Sequence, residues 1–216
     1  MQINLEIVKY SKIEDAQKIV SLNEKNIVPD MMLRRRLTRN ARIALYLTDQ
    51  IGSWDVPIVI GNAYGEVNET FDILRAIATG ETVSPTAFQN SVHNTPASYL
   101  SIVGKNKGYI TTISDLYETS RAILRVGAVK SLTYETLLLI VSDSIDFERI
   151  EEVNRCNVKI MECGVAFLVR KTNKDATLSL TQKSYPDYSP SVWPMLELFE
   201  HASELGEKEK IIAIEI

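Results

Sequence analysis

The run Thr136–Val141, TLLLIV, constrains the fold more than any other stretch of the chain. It is strand-like and apolar on both faces. A one-sided sheet would leave one of those faces in water, so the run belongs inside a sheet covered by helices above and below. Ser84–Thr119, SPTAFQNSVHNTPASYLSIVGKNKGYITTISDLYET, supplies the matching unit. Ser84-Pro85 is a helix start, with proline where a missing N–H costs nothing. A mixed helical stretch runs through Ile102, and Gly104–Gly108 is a glycine-bounded basic turn. Tyr109–Ile113 is a short β-rich run, and Asp115 opens a helix with Glu118 as its capping-box partner. Helix, turn, strand and helix in so few residues form the unit of a layered α/β fold.

The other elements read in chain order. Asn4–Tyr10 is a strand and Lys12–Leu22 a short helix capped by Ser11. Met32, Leu33, Leu37, Ile43, Ala44 and Leu47 share one helical face that Gly52 ends. Pro57–Ile60 is a buried-type strand, Glu66–Thr79 an amphipathic helix ended by Gly80, and Asp115–Val126 a helix. Lys159–Arg170 and Thr177–Thr181 form an antiparallel hairpin through the polar TNKDA turn. Ser191–Leu205 is a helix and Ile211–Ile216 the last strand. The expectation is an α/β fold, residues 1–216 as a single domain with no linker, its mixed sheet packed between helices. At about 200 residues a chain buries roughly 70% of its extended surface, so such a core needs no staples.

Composition excludes some functions. A net charge of −4 argues against a nucleic-acid surface. No apolar run approaches the roughly 20 residues that span a bilayer. MQINLEIVKY lacks the basic-then-apolar pattern of a leader. The two cysteines, Cys156 and Cys163, fit a reduced, cytoplasmic protein. Neither has Cys or His partners at metal spacing, and the Gly104–Gly108 turn lacks the P-loop pattern, so no metal or cofactor is expected. Cys163, within IMECGVAFLV, reads as a small buried hydrophobe.

Three segments carry a family resemblance: RRRLTRNARIAL, GEVNETFDILRAIATGETVSPTAFQNSVHN and the tail around Trp193-Pro194. The chain resembles the short β-ketoacyl synthase-like (N-terminal thiolase half) chain-length-factor family of type II polyketide and aryl-polyene systems. The likeness covers nearly the whole chain and is densest over Leu33–Ile113. It implies a half-thiolase fold. In β-ketoacyl synthases a Ser-Pro, an Asn in a small-residue helix and a Gly before a strand lead to the nucleophilic Cys. Ser84-Pro85, Asn94 and Gly108 stand in that register, and Tyr117 falls where the Cys would be. A likeness to the first thiolase half alone implies a ketosynthase-shaped subunit without catalysis. Such a subunit pairs with an active ketosynthase and limits its acyl tunnel in polyketide or fatty-acid-like biosynthesis. The implied partners are that ketosynthase, indirectly an acyl carrier protein, and in isolation a second copy. By register Ala87 and Phe88 face the partner's tunnel, and His93 and Asn94 lie next to the interface.

Each of these residues has a plainer reading beside the functional one. A phenol with a pKa near 10 is a poor nucleophile, so Tyr117 either fills a vestigial pocket with its ring or is an ordinary half-buried helix residue. His93 is either the base of a small acyl hydrolase or acyltransferase working with a Ser or Asp, or an interface residue that with Asn94 satisfies buried backbone groups. No G-x-S-x-G elbow accompanies it. Arg34, Arg35 and Arg36, with Arg39 and Arg42, are either a solvated helix face or a dock for an acidic acyl carrier protein. A self-associating scaffold is the third function class.

Overall fold

The computed structural model describes residues 1–145 and 158–216, so Cys156 lies outside the described residues. In chain order the elements are β1 (Gln2–Asp15), α1 (Glu24–Ile27), α2 (Met31–Arg34), α3 (Arg39–Ile51), β2 (Ile58–Gly61), α4 (Val67–Thr79), α5 (Pro85–Asn90) and α6 (Thr95–Gly104). They continue as β3 (Ile110–Ile113), α7 (Thr119–Lys130), β4 (Thr136–Ser144), β5 (Glu162–Thr172), α8 (Trp193–Glu204) and β6 (Ile211–Glu215). The six strands form one sheet in the order β3-β2-β4-β5-β1-β6. The β3-β2-β4 side is parallel. The β4-β5-β1-β6 side is antiparallel.

The strand β4 sits inside this mixed sheet, as its sequence requires. Leu137, Leu139 and Val141 point into a core shared with α7 and α8. Leu138 and Ile140 point into the opposite core, shared with α3 and α6. All five are fully buried, each contributing on the order of 1.5–3 kcal/mol of transfer energy. The sheet is therefore a three-layer sandwich of α3 and α6, strands, then α7 and α8.

Three expectations fail, two through tertiary strand pairing and one through a local helix cap. The helix expected over Lys12–Leu22 is absent. Strand β1 instead continues to Asp15, paired with β5 without a gap from Lys9 opposite Leu168 to Asp15 opposite Glu162. A full-length antiparallel partner outweighs the local propensity of these residues. The helical face from Met32 to Leu47 is two elements, because Thr38 takes extended backbone and accepts the Ala41 N–H on its hydroxyl, which caps α3. Met32 is consequently exposed. Thr177–Thr181 is no strand and makes no hairpin. It contributes one isolated parallel bridge, Leu178 to Ile212, because β1 already occupies the free edge of β5.

The two-sided burial of β4 gives a direct test. Leu139→Ala removes a side chain at 0% exposure and should cost about 2–5 kcal/mol in urea unfolding. Leu132→Ala, at a side chain 51% exposed, should stay within roughly 0.5 kcal/mol. Equal effects at the two positions would contradict the placement of β4.

Candidate functional site

The parallel strands β2, β3 and β4 end on one side of the sheet, where open α/β sheets gather their working residues. They are drawn close there. A Cβ on Gly61 would sit 2.7 Å from the Thr119 Cγ2 and 2.8 Å from the Ile113 carbonyl oxygen. The loop Asn62–Glu66 leaves β2 at this point and leads into α4.

Asp143 of β4 organises that loop. Its carboxylate is fully buried, and Oδ1 accepts the Ala63 N–H at 3.0 Å and the Tyr64 N–H at 3.3 Å. Oδ2 accepts the Ser191 hydroxyl, which also bonds the Ser189 hydroxyl at 2.8 Å. Burial pushes the Asp143 carboxyl above its ordinary range, and these donors oppose the shift. Glu66 lies in the same region. It is 4% exposed, and the Thr38 hydroxyl donates to its Oε1 at 2.8 Å. Burial pushes the Glu66 carboxyl up to about 9, with Glu69 and then Asp143 adding negative potential and the Thr38 bond opposing.

His93 closes the loop from outside. Its Nδ1 meets the Asn62 Oδ1 at 2.8 Å, and the Asn62 Nδ2 donates to the His93 carbonyl at 3.2 Å. With the amide nitrogen donating, Oδ1 is the acceptor and the imidazole donates from Nδ1. The ring lies against Gly65, whose φ is +62° and whose added Cβ would come within 2.9 Å of it. Only glycine combines that backbone with that approach.

The expected site residues divide on this frame. His93 and Asn94 are both exposed in the isolated chain. Asn62, not Asn94, is the partner of His93. Asn94 instead starts α6 through its carbonyl, which accepts from Ser98. The Asn62 contact occupies the His93 Nδ1, and Ser191 is fully buried with its hydroxyl on Asp143. Tyr117 is 58% exposed in a one-turn helix after β3, so its ring fills no pocket in the isolated chain. Leu116, next to it, takes a left-handed φ of +41°. The expected Asp115 cap is replaced by Thr119, whose hydroxyl accepts the Asp115 N–H at 3.0 Å and donates to the Leu116 carbonyl. Glu118 pairs with Arg121 at 3.1 Å.

The arginines also divide. Arg34 turns inward and donates to the Val28 carbonyl at 2.7 Å and the Pro29 carbonyl at 3.2 Å. Arg39 pairs with buried Glu162 and Arg42 with Glu24. Arg35 and Arg36 remain exposed. On α5, Phe88 is 69% exposed and Ala87 is half-buried. Cys163 is buried, and burial pushes its thiol well up. Among the described residues no cluster of three His, Cys, Asp or Glu side chains could hold a metal, and no helix is long and apolar enough to cross a membrane.

Asp143, Ser191, Asn62 and Glu66 are absent from the sequence reading of the site. The available signal was Asp143 itself, since a charge continuing a strand that is apolar on both faces must find donors in the core.

The Glu66 carboxyl predicts a pH dependence. Its folded pKa lies above its ordinary value, so its stabilising contribution is complete below about pH 4.5 and is lost as the pH rises towards about 9. Thermal unfolding from pH 6 to 9.5 should show the wild type weakening with pH and Glu66→Gln weakening less. Parallel curves would remove Glu66 as the cause.

Comparison with known proteins bears on the same region. Residues 11–196 match the family model described as Beta-ketoacyl synthase, N-terminal domain. The curated proteins give no match. One chain of the ketosynthase ApeO in complex with its chain length factor ApeC, from Xenorhabdus doucetiae, superposes with a TM-score of 0.69 at 21% identity, covering 95% of this chain and 93% of that one. The ishigamide ketosynthase/chain length factor gives 0.65 at 13% identity over 81% of this chain and 63% of its own. A type II acyl-carrier protein–ketosynthase complex, AntDE with AntF, gives 0.58 at 10% identity over 79% and 63%. At these identities the likeness establishes the fold, which is the half-thiolase fold of ketosynthases. With the family model spanning most of its length, the chain belongs to the β-ketoacyl synthase N-terminal domain family.

Proposed function

We propose that residues 1–216 act as one domain, a non-catalytic, chain-length-factor-like subunit that pairs with an active ketosynthase and limits its acyl tunnel. Two observations carry this reading, an uncovered apolar arm and an uncovered sheet edge. Strand β3 pairs with β2 on one side only. Helix α4 packs chiefly on α5, and the two leave Leu74 at 60%, Ile77 at 64% and Phe88 at 69% exposure. An open groove of about 700 Å³ runs between α6 and β3, lined by Ala97, Ser101, Ile102, Ile110 and Thr112 among others. A bare edge next to a bare apolar face is a liability in a monomer and an asset in an obligate dimer. The exposed Tyr117 at the nucleophile-equivalent position supports the absence of catalysis, since a phenol cannot replace a thiolate there. Similarity to chains of ketosynthase–chain length factor complexes supports the choice of partner.

In this reading α5 and α6 meet the ketosynthase, with His93 and Asn94 at the seam and Ala87 and Phe88 towards its tunnel. Co-expression followed by size-exclusion mass measurement should give a heterodimer burying roughly 2,000 Å² or more. A monomer unchanged by the ketosynthase would overturn the proposal.

The tunnel residues have their own test. Extra methylenes against a packed aromatic cost about 1–3 kcal/mol, roughly a tenfold to hundredfold penalty per elongation step. Phe88→Ala should lengthen the product of the reconstituted complex and Ala87→Phe should shorten it, as read by product-length analysis. Identical products from intact complexes would show that these side chains form no part of the tunnel floor.

A further inference from the structure

We propose that α4 and α5 form a hinged arm that opens from the sheet as one unit, and that the reciprocal Asn62–His93 contact is the clamp that holds it shut. Hinge and clamp stand on this chain's own geometry. Their use, to present or withdraw the Leu74, Ile77 and Phe88 face, rests on the heterodimer reading above.

The arm has little apolar packing to hold it. Helix α3 buries eight of its 13 residues, whereas α4, also 13 residues long, buries Ala76 and α5 buries Asn90. Each of the two packs chiefly on the other. Apolar burial is the main force that fixes a helix to a sheet, so a helix pair without it is a separate unit of low local stability. The contact between α4 and α5 is internal to the pair and survives its opening. The turn that joins them is closed by the Glu81 N–H on the Ala76 carbonyl at 2.9 Å and by the Ser84 cap on α5.

Polar contacts hold the two roots of the arm. At its entry the Thr38 hydroxyl donates to Glu66 at 2.8 Å while accepting the Ala41 N–H at 3.1 Å, so one hydroxyl serves both the arm and the start of α3. At its exit the Asn90 Nδ2 donates to the Arg36 carbonyl at 2.9 Å, and the Asn90 carbonyl accepts the Thr95 hydroxyl at 3.0 Å. Asn62 and His93 then join the two roots to each other, with 2.8 Å between Nδ1 and Oδ1 and 3.2 Å between Nδ2 and the His93 carbonyl.

The clamp is asymmetric. Asn62 is fully buried, and its N–H donates to the Ile113 carbonyl of β3 at 3.3 Å. His93 is exposed. One jaw is therefore part of the sheet and the other faces water, so the clamp parts without disturbing either apolar core. The imidazole seats on Gly65, whose left-handed backbone lies at the entry root. Hinges are a few such element-terminal residues that absorb the backbone change.

The test is native-state hydrogen exchange on the full chain, read by mass spectrometry. Amides of α4 and α5 should show one common protection, at least about tenfold below that of β4. His93→Ala, at an exposed position where folding is not at stake, should speed exchange throughout the arm by about tenfold and leave α3 and β4 unchanged. Gly65→Ala should act in the same direction by displacing the ring. The Asn62→Ala, His93→Ala double variant should match Asn62→Ala, because the two jaws act as one clamp. Arm protection equal to that of β4 overturns the proposal. So do separate protections for α4 and α5, no effect of His93→Ala on the arm, or an effect that spreads equally to α3 and β4. Pairing with the ketosynthase is read separately by size-exclusion mass. Failure to pair, with the arm opening as described, counts against the heterodimer reading and leaves the hinged arm standing.

Discussion

The structure hangs on the Asp143 carboxylate. A carboxylate in a dry core is costly unless donors surround it, and three converge here: two backbone N–H groups of the Asn62–Glu66 loop and the Ser191 hydroxyl. One side chain thereby joins the end of β4, the exit from β2 and the segment that enters α8. The loop so fixed carries Asn62, which holds His93, and Glu66, which starts α4. Removing the carboxylate would leave buried N–H groups orphaned in addition to losing the bonds themselves, which is why such hubs are worth more than their count of contacts.

A second buried acid repeats this arrangement one register step away, at the same end of the β4–β5 ladder. Glu162 opens β5, accepts the Arg39 guanidinium at 2.7 Å, the Ile19 N–H at 2.8 Å and the Ser144 hydroxyl at 3.1 Å. It pins the irregular chain after β1 to the first turn of α3. With that segment tied down, α2 and its outward residues are set against the α3 side of the sheet. The interior is thus specified by two neighbouring polar hubs at one end of the β4–β5 ladder and by apolar packing along the rest of it, while the α4–α5 arm makes few contacts with either core.

Much of the architecture was legible in the sequence where burial imposes a period. The two-sided run of β4, the buried β2 and the helices ending at Gly52 and Gly80 all lie where expected. The misses are non-local. Lys12–Asp15 reads as helical until a partner from β5, far along the chain, claims it. Leu178 reads as strand, yet its edge is taken by β1. The site was less legible for related reasons. Tyr117 is exposed beside a left-handed Leu116, a backbone state that no residue preference announces. Arg34 looks like its neighbours until the chain doubles back at Pro29 and offers it two carbonyls. The acid hubs declare themselves only as charges in apolar surroundings.

The place of β1 between β5 and β6 has a consequence for synthesis. Strand β1 is bonded on both sides by β5 and β6, which are synthesised well after it, and the Ile216 N–H returns to the Met1 carbonyl. Between Asp15 and Glu162 about 150 residues must be translated, which at 5–20 residues per second takes roughly ten to thirty seconds. For that interval Ile3, Leu5 and Ile7, all core residues in the finished fold, have no permanent neighbour. Through that interval both edges of β1 are open to pairing with another chain.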